Sequence, residues 1–278
     1  MATLENLKVK LYSDGADLAN ILAHASHPWV KGFTTNPTLM RKAGVLDYEA
    51  FARAILCIVR DLPVSFEVFA DDPADMEAQA LAISQWASNV NVKIPVTNTR
   101  GVFMGPLIRR LSAAGVIVNV TAILTLEQVE RVLWSLDPHA RAIISVFAGR
   151  IADTGIDPVP VMKSAAAMVS SLPGAQLLWA SPRELLNIFQ ADQAGCDIIT
   201  VPPDLLKKLD VVGKDLLAYS LETVTMFHRD AKASAYEINT DLPLPAPPWC
   251  VPTASPEPRP GRRIRPRSRI PVLLPSRV

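Results

Sequence analysis

The chain has 278 residues, of which 49% are apolar and 20% charged, and its formal net charge is +1. That much apolar material supports one sizeable buried core and excludes a wholly disordered chain. No apolar run reaches the ~20 residues of a membrane span, and Met1-Ala2-Thr3-Leu4-Glu5-Asn6 has neither the basic start nor the apolar stretch of a secretory signal, so no membrane partner is expected.

Cys57, Cys196 and Cys250 are far apart and odd in number, which fits a reduced, cytoplasmic setting better than a disulfide framework. Cys57 lies in the apolar run Ala54-Ile55-Leu56-Cys57-Ile58-Val59 and is expected in the core. The net charge hides an asymmetry. Residues 239–278 hold seven arginines, no lysines and two acids, a net of +5, which leaves −4 on residues 1–238.

In chain order, β-type runs fall at 7–13, 30–35, 63–70, 90–96, 116–122, 142–148, 176–180 and 197–201, with helical stretches between them at 47–60, 74–88, 101–114, 125–136, 159–171 and 182–194. Asp17, Asp47, Thr125 with Gln128 behind it, and Ser181-Pro182 with Glu184 read as helix starts; Gly115 and Gly195 read as helix ends. Successive strand-helix units imply parallel pairing with right-handed crossovers. An open doubly wound sheet usually carries a Gly-rich phosphate loop after its first strand, and this chain has none, so the expected fold is a closed (β/α)8 TIM barrel. A last helix, 214–229, has no strand after it. It is expected to pack on the barrel or on a neighbouring subunit, and a homo-oligomer is the expected assembly.

Two segments of different kind follow from this reading: a catalytic barrel over 1–238 and a Pro/Arg-rich tail over 239–278. From Pro243 onward there are eleven prolines and no helical or strand period, so the tail is expected to be disordered or polyproline-like. An inert extension is preferred for it over a ligand for nucleic acid or for a proline-reading domain, and nucleic acid is not an expected partner.

Chemistry in such a barrel gathers at the C-terminal ends of the strands. Here the first strand ends at Asp14, the second at Thr34-Thr35-Asn36-Pro37, and the third carries Glu67. The next four supply Lys93, then Asn119 and Thr121, then Ser145 and Arg150, then Ser181 and Arg183; strand eight offers Thr200. Lys93 stands between Val92 and Ile94, where an ammonium is costly to desolvate, so either a buried ion pair or amine chemistry must account for it. One inward polar residue has a structural explanation; polar ends on seven strands point to a site. A lysine beside two carboxylates suits imine formation on a carbonyl, with Asp14 or Glu67 moving protons. Arg150 and Arg183, with Ser181 at a helix start, suit a phosphate, and together these groups suit a phosphorylated sugar. His24 and His27 have no third ligand nearby, so no metal is expected, and no GxSxG elbow occurs.

Gly32-Phe33-Thr34-Thr35-Asn36-Pro37-Thr38-Leu39, Val92-Lys93-Ile94-Pro95-Val96-Thr97, Asn119-Val120-Thr121 and Ser145-Val146-Phe147-Ala148-Gly149-Arg150-Ile151 together resemble the transaldolase family, in the short form it shares with fructose-6-phosphate aldolases. The likeness runs from about Leu7 to Ile238. It implies a cofactor-independent transfer of dihydroxyacetone between sugar phosphates in the pentose phosphate pathway. Lys93 would form the Schiff base, Asp14 would move the proton of the C4 hydroxyl, and Glu67 and Thr121 would orient a water. Thr34, Asn36, Asn119 and Ser145 would hold the three-carbon unit, and Arg150, Ser181 and Arg183 the phosphate.

The resemblance also implies that free aldolases carry Gln in place of Glu67 and Tyr in place of Phe147, so this chain has the transferase pair. Pro182 departs from the family pattern, which leaves the acceptor preference open. A fructose-6-phosphate-type aldolase, and a barrel kept as a scaffold with a basic binding tail, are the alternatives.

Overall fold

A computed structural model describes residues 4–240 of the chain. Eight strands pair in sequence order into a closed barrel: β1 (Lys10–Asp14), β2 (Val30–Thr34), β3 (Val64–Glu67), β4 (Val90–Pro95), β5 (Val118–Ile123), β6 (Ala142–Val146), β7 (Ala175–Trp179) and β8 (Ile198–Val201). All neighbours are parallel, and β8 closes on β1 through Lys10↔Ile198 to Ser13↔Val201. The expected (β/α)8 barrel is the observed one.

The connecting helices are α1 (Leu18–Ala25), α2 (Pro37–Lys42), α3 (Tyr48–Ile58), α4 (Pro73–Ser84), α5 (Gly105–Ala113), α6 (Leu126–Ser135), α7 (Ala148–Asp153), α8 (Pro158–Val169), α9 (Leu186–Gln193) and α10 (Pro203–Leu206). Local chemistry sets most of their starts. Asp17, Asn36, Asp47, Asp72, Thr125 and Asp157 each accept a backbone N–H at an N-cap, and Thr125 with Gln128 forms a full capping box. Gly115 and Gly195 end their helices at φ +83° and +82°.

Alternation along the strands builds two cores. Leu11, Val92, Ile94, Val118, Val120 and Ile144 pack between the strands and the helices. Tyr12, Ile143, Leu178, Ala180 and Ile198 form a separate small cluster on the inward positions. The inward positions nearer the strands' C-terminal ends are polar, and those residues line the candidate site.

Four expectations need correction. The helix read as 182–194 begins only at Leu186, so Ser181 is not at a helix start. In its place Asn187 Oδ1 accepts the N–H groups of Arg183 (2.7 Å) and Glu184 (3.1 Å), closing a turn that proline at 182 does not extend into a helix. The stretch 101–114 is helical only from Gly105, because Thr97 and Phe103 form a β-bridge and Asn98 Oδ1 takes the N–H groups of Arg100 and Val102. The third strand ends at Glu67 rather than at residue 70. Cys57 is exposed: α3 buries Ala52 and Ile55, and position 57 falls on the opposite face.

Of the described residues, those up to Asp215 form one compact unit, and a second begins at Leu216. The second holds α11 (Leu216–Ala233), the expected extra C-terminal helix, none of whose residues is buried. Of the tail read over 239–278, the part from Asp241 onward lies outside the described residues. Among the described residues no helix is long and apolar enough to cross a membrane, and no group of His, Cys, Asp or Glu could hold a metal ion.

Candidate active site

At the C-terminal mouth of the barrel a cavity of about 540 Å³ is lined by all twelve candidate residues: Asp14, Thr34, Asn36, Glu67, Lys93, Asn119, Thr121, Ser145, Phe147, Arg150, Ser181 and Arg183. A larger depression, about 760 Å³, opens elsewhere on the barrel, between Tyr12, Asn91 and Arg141, and contains none of them. Size does not choose the candidate site here; the convergence of titratable groups does.

Lys93 is the centre of the mouth. Only 7% of it is exposed, and its Nζ donates to the Thr35 carbonyl at 2.9 Å and pairs with Glu67 Oε2 at 3.0 Å. The register Glu67↔Lys93↔Asn119 places these three side chains on one level of three adjacent strands. Of the two readings open to a buried lysine, the ion pair is therefore present, within the set of groups that amine chemistry needs.

Asp14 stands at the end of β1. Thr34 Oγ1 donates to its Oδ1 at 2.8 Å and also makes a short contact with the Thr200 hydroxyl. Burial raises the Asp14 carboxyl above the ordinary carboxylate range, against the opposing pull of Lys93 and the Thr34 hydrogen bond. A carboxyl so placed is closer to a proton-transfer role at neutral pH than a solvated aspartate would be.

On the next strands Ser145 Oγ donates to Asn119 Oδ1 at 2.6 Å, and Asn119 Nδ2 donates to Ser65 Oγ at 3.2 Å. This chain fixes which way the Asn119 amide points. Asn36 Oδ1 is used to cap α2, accepting from Leu39 N–H at 3.0 Å, so its amide nitrogen is the group left for a ligand. Thr121 Oγ1 is buried and has no hydrogen-bond partner among the described residues. Such a group costs roughly 1–3 kcal/mol unless something meets it, and its residue lines the cavity.

Two arginines, one on α7 and one in the turn before α9, line one side of the cavity. Arg150, on α7, lies with its guanidinium 5.6 Å from the centre of the Phe147 ring. Arg183 is held in a two-pronged pair by Asp153, at 2.8 and 2.5 Å, which lowers the Asp153 carboxyl and raises the guanidinium further. Ser181 reaches this side by a backbone route rather than by a helix start: its φ is +60°, a left-handed conformation that costs a non-glycine residue roughly 1–3 kcal/mol. Ala122, one residue past Thr121, has φ +62° where the β5–β6 register shifts. Gly149 makes the close approach possible, since a β-carbon there would lie 1.6 Å from the Ser181 carbonyl oxygen.

Residues 11–242 match the family model described as Transaldolase/Fructose-6-phosphate aldolase. The chain belongs to that family. A probable transaldolase of Dehalococcoides mccartyi is 34% identical over 202 residues, which span 72% of this chain and 90% of that protein. Probable transaldolase 2 of Listeria monocytogenes is 33% identical and a probable transaldolase of Methanococcus maripaludis 32%, each over 72% of this chain, with 88% and 89% of those proteins covered.

Several residues at this cavity were not among the candidates read from the sequence. Lys42 and Leu39 line it from α2, whereas Thr200, which strand eight was read to offer, lines it from β8. Thr200 was legible as the last polar residue of an inward strand; Lys42 was not, being one exposed-looking lysine on a short helix. Asp153, which orients Arg183, has no sequence signal at all. His24 and His27 lie outside the active-site cavity; they line a small separate one, and His24 Nδ1 shares a 2.8 Å hydrogen bond with Ser13 Oγ.

Proposed function

We propose that the protein is a transaldolase that moves a dihydroxyacetone unit between sugar phosphates through an imine on Lys93. The observation that carries the reading is the buried Lys93 Nζ, 3.0 Å from the Glu67 carboxylate, in one cavity with Asp14, the Asn119–Ser145 chain and two arginines.

Each group has a part in that sequence. Glu67 is the carboxylate paired with Lys93 and takes the proton that Lys93 must lose before it attacks the ketose C2 carbonyl, and with the unpartnered Thr121 hydroxyl it orients the water expelled as the imine forms. Asp14 takes the proton of the C4 hydroxyl as the C3–C4 bond breaks. The bonding electrons pass to the imine nitrogen, and the aldehyde leaves. An acceptor aldehyde then adds in reverse, taking the proton back from Asp14, and water frees the new ketose. Asn119, Ser145, Thr34 and the Asn36 amide hold the three-carbon unit; Arg150, Arg183 and Ser181 hold the phosphate. No step calls for a metal or an organic cofactor. The names of the relatives support a transferase, and Phe147 offers no hydroxyl to help release free dihydroxyacetone.

The test is an assay with fructose 6-phosphate, with and without erythrose 4-phosphate, together with borohydride trapping. The expected outcome is product only when the acceptor is present, and a reduced three-carbon adduct on the peptide that contains Lys93. Dihydroxyacetone released without acceptor would make the protein an aldolase. An adduct on another lysine, or full activity in Lys93→Ala, would end the imine assignment.

A further inference from the structure

The ladder between β2 and β3 breaks at the level of the site, and the side chain of Tyr48 fills the break. On β3, Val64 and Val68 send their N–H groups toward β4, to Asn89 O (3.0 Å) and Lys93 O (3.2 Å), so Ser65 and Glu67 face β2. Thr35 N–H duly donates to the Ser65 carbonyl at 3.2 Å. Continued in that register, Glu67 N–H would donate to the Thr35 carbonyl, and the Glu67 carbonyl would accept from residue 37. The Thr35 carbonyl accepts instead from Lys93 Nζ at 2.9 Å, and residue 37 is a proline with no N–H to give.

Glu67 therefore has two backbone groups with no strand to bond. The Tyr48 hydroxyl serves both, accepting from Glu67 N–H at 2.9 Å and donating to the Glu67 carbonyl at 2.9 Å. The ring that delivers it is well fixed. Tyr48 is the first residue of α3, just after the Asp47 cap, and packs edge-on against Phe66 (6.0 Å between centroids), Phe69 (4.4 Å) and Trp86 (5.6 Å). Burial pushes the phenol above its ordinary range, so it remains a protonated donor.

We propose that Tyr48 is a positioning residue for the Lys93–Glu67 pair: its hydroxyl replaces the missing strand, which frees the Thr35 carbonyl to hold Lys93 and keeps the Glu67 carboxylate beside it. The role for catalysis rests on the imine function proposed for Lys93; the geometric role does not. Tyr48 touches no reacting atom, and acts through the backbone of Glu67.

Tyr48→Phe removes the hydroxyl and keeps the ring, and three readouts follow. First, without substrate, acetic anhydride labelling of Lys93 is expected to rise at least threefold relative to the exposed Lys163, read peptide by peptide by mass spectrometry. Second, kcat and the rate of borohydride trapping are expected to fall roughly tenfold, with the KM for the acceptor within twofold, because small misplacements of reacting groups are costly while the phosphate side is untouched. Third, Tyr48→Phe added to Glu67→Gln is expected to cost less than threefold more, because residues acting as one unit are not additive.

Unchanged labelling of Lys93, or an equal loss in the two backgrounds, would overturn the proposal, whatever happens to the melting temperature. Changed labelling in a protein that never forms a Lys93 adduct would sink the imine function and leave Tyr48's role standing. Should the phenylalanine variant not fold, 3-fluorotyrosine at position 48 keeps the hydroxyl and weakens it as an acceptor. The same labelling rise, in smaller measure, is then expected, and its absence counts against the proposal.

Discussion

Gly149 offers a sharp test of how the Arg150–Arg183 side of the cavity, proposed to hold the phosphate, is built. It lies inside α7, where glycine ordinarily costs roughly 1 kcal/mol relative to alanine, so helix propensity alone says that Gly149→Ala should stabilise the protein. The structure says the reverse. The new β-carbon would lie 1.6 Å from the Ser181 carbonyl oxygen and 2.7 Å from its carbon, where a non-bonded pair needs roughly 3.5 Å. The obstacle is backbone, already at φ +60°, and cannot rotate away as a side-chain tip would.

Overpacking of this kind costs typically 1–3 kcal/mol, and a clash with backbone belongs at the upper end; after the propensity gain the net loss is about 1–2 kcal/mol. The relief movement, more than 1 Å at Ser181, would carry Arg183 with it and weaken kcat/KM for the phosphorylated donor roughly 100-fold. Urea melts and steady-state kinetics with fructose 6-phosphate measure the two effects. Gly44→Ala is the control: its φ is +73° and nothing lies within 4 Å of a β-carbon there, so it should cost stability and leave kinetics alone. A Gly149→Ala protein at least as stable as the wild type, with unchanged kcat/KM, would refute the reasoning.

Two further predictions concern the candidate site. Asp14→Asn should lower turnover 100-fold or more while raising stability at pH 7. Burial raises the folded carboxyl above its unfolded value, so the stability tied to its protonated form is complete below the unfolded carboxylate range and is lost as pH rises through the folded value. The variant's advantage should therefore shrink on acidification, and a variant less stable than wild type at neutral pH would contradict the direction of the shift. Phe147→Tyr should raise release of free dihydroxyacetone relative to transfer, measured with and without acceptor; an unchanged ratio in a folded variant would place the transferase–aldolase discrimination elsewhere.

Local physics accounts for much of this protein without reference to any tertiary contact. The alternation of apolar runs and helical periods set the eight strand-helix units, and caps such as Asp17, Asp47 and Thr125 set helix starts within a residue or so, because an N-cap acts on N–H groups two or three residues away. The inward polar residues at strand ends were legible for the same reason: period two assigns a face, and the end of a strand in a closed parallel barrel assigns a mouth.

What the sequence left open depends on residues far apart in the chain. Ser181-Pro182-Arg183-Glu184 has the composition of a helix start, yet Asn187 caps the turn and Gly149 gives Ser181 its place, so the helix begins later. The early end of β3 follows from where Lys93, on β4, directs its ammonium and from Tyr48, on α3, standing in for strand β2. Asp153 became legible as a site residue only when folding brought it against Arg183, thirty positions away. Cap and period are short-range and survive in a string of letters. Pairing of charges and replacement of a strand's hydrogen bonds are decided by distance in space, which only the closed barrel supplies.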